Sequence, residues 1–263
     1  MDISALVLAR NEEGMIKDCL SQLDFVGEII ILDQGSTDKT RDIAAKYTKK
    51  IFSTTSDSFA KNREILASRA KGTWLLYVDA DERLDSRAIE EIKKAVRQQK
   101  YQAFYFPRKN IILGKWLRHG GWFPDYVPRL FKKSSLKGWT GQVHESPKVD
   151  GAFGYFDTPL THMTARSLSS MLGKTIKWAK VEADLAYRAN HPRVTIPRII
   201  RAFAKEFFGR YFVKLGLLDG FVGLAQAIYQ ALHHAITLVY LWELQNNTQE
   251  EFIKAKGQIK SYE

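Results

Sequence analysis

Trp74-Leu75-Leu76-Tyr77-Val78-Asp79-Ala80-Asp81-Glu82 decides how the rest of the chain is read. Its five consecutive apolar residues, two aromatic and one β-branched, predict a strand covered on both faces. Asp79 and Asp81 then fall at its carboxyl end, the edge at which open α/β sheets bind ligands. Carboxylates there suit a hard divalent cation, held by one or two protein acids and the oxygens of a bound diphosphate. The spacing alone leaves a second reading open, a strand followed by an acidic helix cap, because Asp85-Ser86 opens a helix soon afterwards.

The amino terminus shifts the balance. Ile3 to Ala9 is another apolar run, ending in Arg10-Asn11-Glu12-Glu13-Gly14. After a helix-like segment, Glu28-Ile29-Ile30-Ile31-Leu32-Asp33 predicts a third strand, followed by Gln34-Gly35-Ser36-Thr37-Asp38-Lys39-Thr40. Ser36, Thr37 and Asp38 suit the N-cap of the helix that carries Ile43 and Ala44. The alternation of strand and helix continues through residue 100 and predicts a parallel sheet. Three strands then deliver Arg10-Asn11, Asp33 and Asp79/Asp81 to one rim.

At this point the sequence resembles the family 2 glycosyltransferases of the GT-A fold. The matching elements are LVLARNEE (6–13), ILDQGSTDKT (31–40), FAKNREILASRAKGTWLLYVDADERL (59–84), and the later RLF and VHE. They stand in the family's order and spacing and cover about the first 165 residues. The resemblance implies an α/β, mostly parallel GT-A sheet over residues 1–165, with a helical extension over 166–263. It also implies site roles. Asp33 would hydrogen-bond the uracil of a UDP-sugar, and Ala9, Arg10 and Asn11 would lie along the nucleotide. Lys61-Asn62-Arg63 would meet the nucleotide just before the Asp-x-Asp strand. Asp79 and Ala80 would face ribose and donor sugar, and Asp81 above all would hold the metal, manganese or magnesium. The competing role for Asp33, capping a turn, falls more naturally to Asp38 and leaves Asp33 for the ligand.

Elementary chemistry asks for the same parts. Transfer from UDP expels a diphosphate, whose developing charge a divalent ion held by Asp81 would neutralise, with Lys or Arg assisting. Inverting members of the family use a carboxylate as general base. Glu145, in Gly141-Gln142-Val143-His144-Glu145-Ser146 after Arg129-Leu130-Phe131, is the first candidate. RLF followed by VHE resembles the bacterial lipopolysaccharide-core glucosyltransferase subgroup, which favours Glu145. Asp125, in the Gly- and Trp-rich Gly120-Gly121-Trp122-Phe123-Pro124-Asp125-Tyr126, is the second. Trp116, Trp122 and Trp139 offer stacking faces for a pyranose, against the plainer role of packing. His144 reads as a hydrogen-bonded structural residue. His162 stands between a late phosphate or metal contact and an ordinary strand-end histidine.

Composition sets the outer bounds. At 263 residues with 45% hydrophobic content, the chain can bury a full core and is not disordered. Cys19 is the only cysteine, so a reducing compartment is expected. Met1-Asp2-Ile3 has no basic leader pattern and is not read as a signal peptide. A net charge of +11 implies an anionic partner. Nucleic acid is not expected, since no helix-turn-helix, zinc-finger or RNA-recognition signature occurs. A dinucleotide oxidoreductase lacks its G-x-G-x-x-G after the first strand, and a nucleotidyltransferase lacks a Gly-rich triphosphate loop near residue 10.

From Ser167 the chain reads as helices broken near Asn190-His191-Pro192 and around Gly216 and Gly220. Arg193 to Lys214 sets Arg198, Arg201, Lys205, Arg210 and Lys214 among Ile199, Ile200, Phe203, Phe207, Phe208, Tyr211 and Phe212, a composition suited to an interfacial helix on anionic lipid. Phe221 to Trp242 has no formally charged side chain, but Gln226, Gln230, His233 and Thr237 form one helical stripe. That stripe argues against a lone spanning helix. Two readings remain: peripheral attachment to the cytoplasmic face of the membrane, or a helical hairpin that packs on the catalytic domain or forms a homo-oligomer contact. The function expected is transfer of a sugar, glucose first, from UDP to a lipopolysaccharide inner-core sugar, heptose first. A protein or lipid-carrier acceptor, or a basic binding protein that has lost catalysis, stands as the alternative.

Overall fold

The structure, a computed structural model, describes residues 2–141, 145–165 and 167–246. The chain divides into two compact units, one of Met1–Ile111 with Trp122–Thr164 and one of Ile112–Gly121 with Ala165–Glu263. The first contains β1 (Ile3–Ala9), α1 (Ile16–Ser21), β2 (Glu28–Asp33), α2 (Thr40–Ala44), β3 (Ile51–Ser53) and α3 (Phe59–Arg69). It continues with β4 (Trp74–Asp79), β5 (Glu82–Arg83), α4 (Ser86–Gln98) and β6 (Ala103–Ile112). After β7 (Lys115–Trp116) come β8 (Asp125–Lys132), β9 (Leu136–Thr140), β10 (Ser146–Val149), β11 (Phe153–Tyr155) and β12 (Leu160–His162).

The main sheet runs β3-β2-β1-β4-β8-β6-β12-β5. The first four strands are mutually parallel, and β8 enters antiparallel between β4 and β6. Strand β4 is the expected two-faced strand: Trp74 through Val78 are each 1% exposed. Its alternate residues feed two separate cores, as a period of two requires. Trp74, Leu76 and Val78 pack with Cys19 and Leu20 of α1 and Ala88 and Ile92 of α4. Leu75 and Tyr77 pack with Leu66 of α3, Phe131 and Trp139. The unbroken apolar run thus records helices on both faces of the sheet. Asp85 caps α4 as its sequence suggests, accepting from the Ala88 amide at 2.8 Å.

At the opposite, amino-terminal edge of the sheet, Ser4 and Glu28 are register partners on β1 and β2. The Ser4 hydroxyl donates to Glu28 Oε1 at 2.5 Å, the Lys71 amide donates to the same oxygen at 2.6 Å, and Lys50 pairs with Oε2. Burial would raise the Glu28 carboxyl, but these donors and the Lys50 charge overcome it and hold it at about 2.

The second unit contains α5 (Leu168–Arg188), α6 (Ile196–Phe208), a bend over 209–219 and α7 (Gly220–Gln245). Helix α7 packs against both α5 and α6. Its expected polar stripe faces its neighbours: Gln226 is buried, and Glu182 of α5 accepts from His233 at 3.0 Å and Thr237 at 3.3 Å. Much of its apolar surface points outward instead, with Phe221, Ile228, Leu232, Val239 and Trp242 exposed. The bend requires glycine at 223, where a Cβ would come within 2.0 Å of the Gly216 carbonyl oxygen. Residues 112–121, inside the span expected for the catalytic domain, group with the helices because Asp219 collects them. Its carboxylate accepts from the His119 amide at 2.8 Å and the Arg118 amide at 3.3 Å, and its carbonyl accepts from Lys115 Nζ at 2.6 Å.

The Glu28 knot yields a pH prediction. A carboxyl whose folded value lies below its unfolded one stabilises the fold above the unfolded value and loses that contribution as pH falls. Glu28→Gln should therefore cost on the order of 2 kcal/mol at neutral pH. The gap to the parent should close as pH drops from 4.5 towards about 2. Urea denaturation across that range measures it, and a gap that does not vary with pH would remove the charge from the account.

Candidate active site at the carboxyl end of the sheet

The strand registers place the expected rim residues together. Ala9 pairs with Asp33 and Leu8 with Asp79, so β1, β2 and β4 end at one edge. The two loops that follow β1 and β2 are tied to each other. The Asn11 amide donates to Ser36 Oγ at 3.0 Å, and Asn11 Oδ1 accepts from the Thr37 amide at 2.8 Å. The Glu12 amide donates to Thr40 Oγ1 at 2.7 Å, and the Glu13 amide donates to Asp38 Oδ2 at 3.1 Å. Asn11 sits at φ 53, the left-handed region that asparagine tolerates better than most residues.

This web corrects several expectations. Asp33 is not left over for a ligand by Asp38: its Oδ1 accepts from Ser36 Oγ at 2.5 Å and from the Ser36 amide at 3.2 Å, and the carboxylate is buried. Asp33 and Asp38 both shape the turn, since Asp38 Oδ1 accepts from the Thr40 amide at 3.0 Å. Asn11 serves the contact between the loops. Ala9 and Ala80 have their side chains in the core, which leaves only their backbone to face a nucleotide. Arg10 is exposed, 3.6 Å from Asp57, and Lys61 is exposed on α3. Asn62 is buried and supports the preceding loop, donating to the Ser56 carbonyl at 2.8 Å. Trp139 offers no open face to a sugar: it lies edge-on to Tyr77 and Phe131 in the core.

Around Asp79 the charges are dense. Arg129 of β8 pairs with Asp79 Oδ2 and also bonds Glu82 Oε1 at 2.6 Å through the same nitrogen. Glu82 is wholly buried, and its Oε2 accepts from the Asp79 amide at 2.9 Å. On the other side, Arg63 of α3 lies 3.7 Å from Asp79 Oδ1 and donates to Glu145 Oε1 at 3.0 Å. Its guanidinium rests over the Tyr77 and Trp139 rings at 5.3 and 5.0 Å, a cation–π seat that keeps a buried charge in place. Burial opposes ionisation of Asp79, but the Arg129 and Arg63 charges win and hold its carboxyl well below the usual range. One guanidinium thus joins the first acid of the Asp-x-Asp pair to the first candidate base. Val143 and His144, the residues before Glu145, lie outside the described set.

A second chain of contacts runs from Asp81. His162 Nε2 lies 3.5 Å from Asp81 Oδ2, and His162 Nδ1 is 2.7 Å from Asn110 Oδ1. The buried Asn110 amide nitrogen faces two acceptors, the Trp122 carbonyl at 3.2 Å and Asp125 Oδ2 at 3.1 Å. Its oxygen must therefore face the histidine, so Nδ1 carries a proton and donates to Asn110 Oδ1, and Nε2 is the nitrogen on the Asp81 side. An Nδ1–H held by a hydrogen bond is the way a metal-binding histidine is oriented, which leaves Nε2 as the nitrogen that could meet a cation. Among the described residues no cluster of three acid, His or Cys ligands occurs. Two protein ligands completed by phosphate oxygens is the set a magnesium-like ion takes, and Asp81 with His162 fits it. Asp125, the second candidate base, is fully engaged at Oδ2, which accepts from Arg108 Nε at 2.9 Å, Arg108 Nη2 at 2.6 Å and Asn110.

The sequence reading missed Glu82, Arg108, Asn110 and the role of Arg129. A signal existed for Arg129, a lone cation opening the apolar run Arg129-Leu130-Phe131. Nothing local announced its partners. Arg129→Ala should leave Glu82 buried without its cation and cost roughly 3–5 kcal/mol. Adding Glu82→Gln should recover part of that loss in urea denaturation. A single variant as stable as the parent would contradict the buried pairing.

Comparison with known proteins agrees with this architecture. The family model described as Glycosyl transferase family 2 matches residues 4–154. The lipopolysaccharide core biosynthesis glycosyltransferase LpsC of Rhizobium meliloti is 23% identical over 260 residues, covering 92% of this chain and 93% of that protein. A TPR repeat-containing protein of Synechococcus elongatus is 33% identical over 115 residues, 43% of this chain, and the chain spans only 28% of that relative's length. Among solved structures, residues 1–349 of Staphylococcus aureus TarS in complex with UDP-GlcNAc align over 95% of this chain and 92% of that one, at 14% identity and a TM-score of 0.49. With the family model spanning more than half of its length, over the strands that build this rim, the chain belongs to glycosyl transferase family 2.

Proposed function

We propose that this glycosyltransferase is inverting and metal-dependent, and that it moves a hexose, glucose first, from UDP to an inner-core sugar of lipopolysaccharide, heptose first. The observation that carries the catalytic part is Arg63, which holds Asp79 and Glu145 on one buried guanidinium. That arrangement sets a base one guanidinium's width from the donor-side acid.

Glu145 takes the proton of the acceptor hydroxyl as its oxygen attacks the anomeric carbon, and the bond to the diphosphate breaks with the electron pair on the phosphate oxygen. Asp81 and His162 would hold manganese or magnesium, whose Lewis acidity offsets the charge of that leaving group. Asp79, fixed by two arginines, stays ionised and orients the donor. Glu145 is preferred to Asp125 because Asp125 Oδ2 already accepts from Arg108 Nε, Arg108 Nη2 and Asn110, while among the described residues Glu145 Oε1 accepts from Arg63. The acceptor class is supported by the full-length likeness to LpsC, a protein named for lipopolysaccharide core biosynthesis. UDP, glucose and heptose follow from the family resemblance.

Attachment of the helical unit to the cytoplasmic face of the membrane belongs to the same proposal. Among the described residues no single helix is long and apolar enough to cross a membrane; the bent pair Ile196–Val213 and Gly216–Gln245, at 71°, meets the test by length and composition only. Phe208, Phe212 and Phe221, around the bend, are 56%, 47% and 81% exposed. An apolar surface this large on a helix whose polar residues point inward suits the boundary of a bilayer.

Titration calorimetry with UDP-glucose, with and without manganese, tests the donor site. Asp81→Ala should lose metal-dependent binding and turnover, and Glu145→Gln should bind donor and fail to transfer. Normal turnover by Glu145→Gln would move the base to Asp125. For the membrane, Phe208, Phe212 and Phe221 changed together to Ser should lower vesicle partition at least about tenfold, since each buried Phe contributes ~1.5–3 kcal/mol. Unchanged partition would leave a second copy of the chain as the occupant of that surface.

A further inference from the structure

The second unit holds a cavity of about 500 Å³ between α6 and α7, lined by Arg198, Arg201, Ala202, Lys205, His234, Thr237 and Leu238. Arg198, Arg201 and Lys205 stand at i, i+3 and i+7 on α6, a spacing that sets all three on one face of a helix of 3.6 residues per turn. Like charges on one face repel, so the arrangement is unfavourable unless an anion is held among them. The acid beside it is already committed: Glu206 bonds Arg210 at 2.5 Å, and His234 stands 3.8 Å from it. Arg198 donates to the Pro192 carbonyl, which anchors its stem and still leaves guanidinium N–H groups. The floor is mixed, with Ala202 and Leu238 apolar and the Thr237 hydroxyl already turned to Glu182 and the His233 carbonyl.

We propose that this groove binds the phosphate of an anionic lipid headgroup. The chemistry recognised is a phosphate mono- or diester: guanidinium and ammonium groups from α6 on one side, the His234 imidazole from α7 on the other, and an apolar wall for the glycerol or first methylenes. A lipid rather than a soluble phosphate is chosen because the same helix exposes Ile196 and Ile200, and the following bend exposes Val213, Leu217 and Leu218. A headgroup in the groove would bring acyl chains to that apolar surface, and cations alone would explain neither those side chains nor their place. The proposal rests on the membrane reading and deepens it, turning a diffuse attraction into a site.

Flotation of the full chain with phosphatidylcholine vesicles, with and without phosphatidylglycerol, tests it. Arg201→Glu with Lys205→Glu should reduce the fraction bound to phosphatidylglycerol vesicles at least tenfold. Lys17→Glu with Lys46→Glu, exposed residues of the first unit, makes the same change in net charge and should leave binding near the parent's. Arg201→Lys with Lys205→Arg should retain it. Equal loss in the Lys17/Lys46 variant would reduce the effect to net charge and overturn the site, as would unchanged flotation of the Arg201/Lys205 variant. Calorimetric binding of glycerol 1-phosphate without any flotation would reassign the groove to a soluble phosphate and overturn the lipid. A parent chain that ignores every vesicle sinks the membrane reading along with the groove proposal. UDP-glucose binding is measured on the same variants, so failure at the donor site is seen separately from failure here.

Discussion

Two buried guanidiniums make the acidic end of β4 possible. Glu82 is wholly buried and Asp79 beside it is partly exposed, and carboxylates crowded there without cations would either take up protons or unfold the strand end. Arg129 comes from the antiparallel neighbour β8 and Arg63 from the helix that covers the sheet. Each reaches two carboxylates and they share Asp79, so removing Arg129 takes this cation from Glu82 and removing Arg63 takes it from Glu145. The same pairs that keep Asp79 ionised also fix where it points. The contacts that hold the end of β4 together are therefore the ones that fix the Asp79 carboxylate.

Further along the rim, the loops after β1 and β2 are held by side chain to backbone bonds rather than by apolar packing. Asn11, Ser36, Asp38 and Thr40 satisfy amides across the gap and shape a polar edge that has no core of its own. Asn11 and Asp33, expected at a nucleotide, also build the frame of these loops. This division is physically reasonable, because an edge that receives a diphosphate must be polar and still rigid. The His162–Asn110–Asp125 relay does the same for Asp81, setting a tautomer at a distance of two side chains.

In the helical unit the usual distribution of polarity is reversed along α7. Glu182, His233 and Thr237 bond one another between helices, and large apolar side chains face outward. Buried polar pairs specify how the helices dock, since each unpaired group would be costly. The outward face then stays available for an apolar or amphipathic surface, with the basic face of α6 beside it.

The chain's own sequence determined the sheet, the parallel order of its first strands and the rim. Apolar runs such as Ile3–Ala9 and Trp74–Val78 fit only covered strands, and polar residues at their ends must gather on one edge. It also determined that helices follow Ser167 and that the polar stripe of α7 lies on one side. Tertiary structure decided the rest. Asp33 reads as free for a ligand until Ser36 is seen bonded to it, and Trp139 stands between a sugar platform and packing until it is found against Tyr77. Glu82 and Arg129 are far apart in sequence, and a buried ion pair leaves no periodic trace in either segment. The proton on His162 depends on which way Asn110 turns, and that is set by Trp122 and Asp125 from another loop. Pattern along a chain reports burial and period, because each residue contributes to them locally. Which charge meets which is a property of distance in three dimensions, and only the folded chain fixes it.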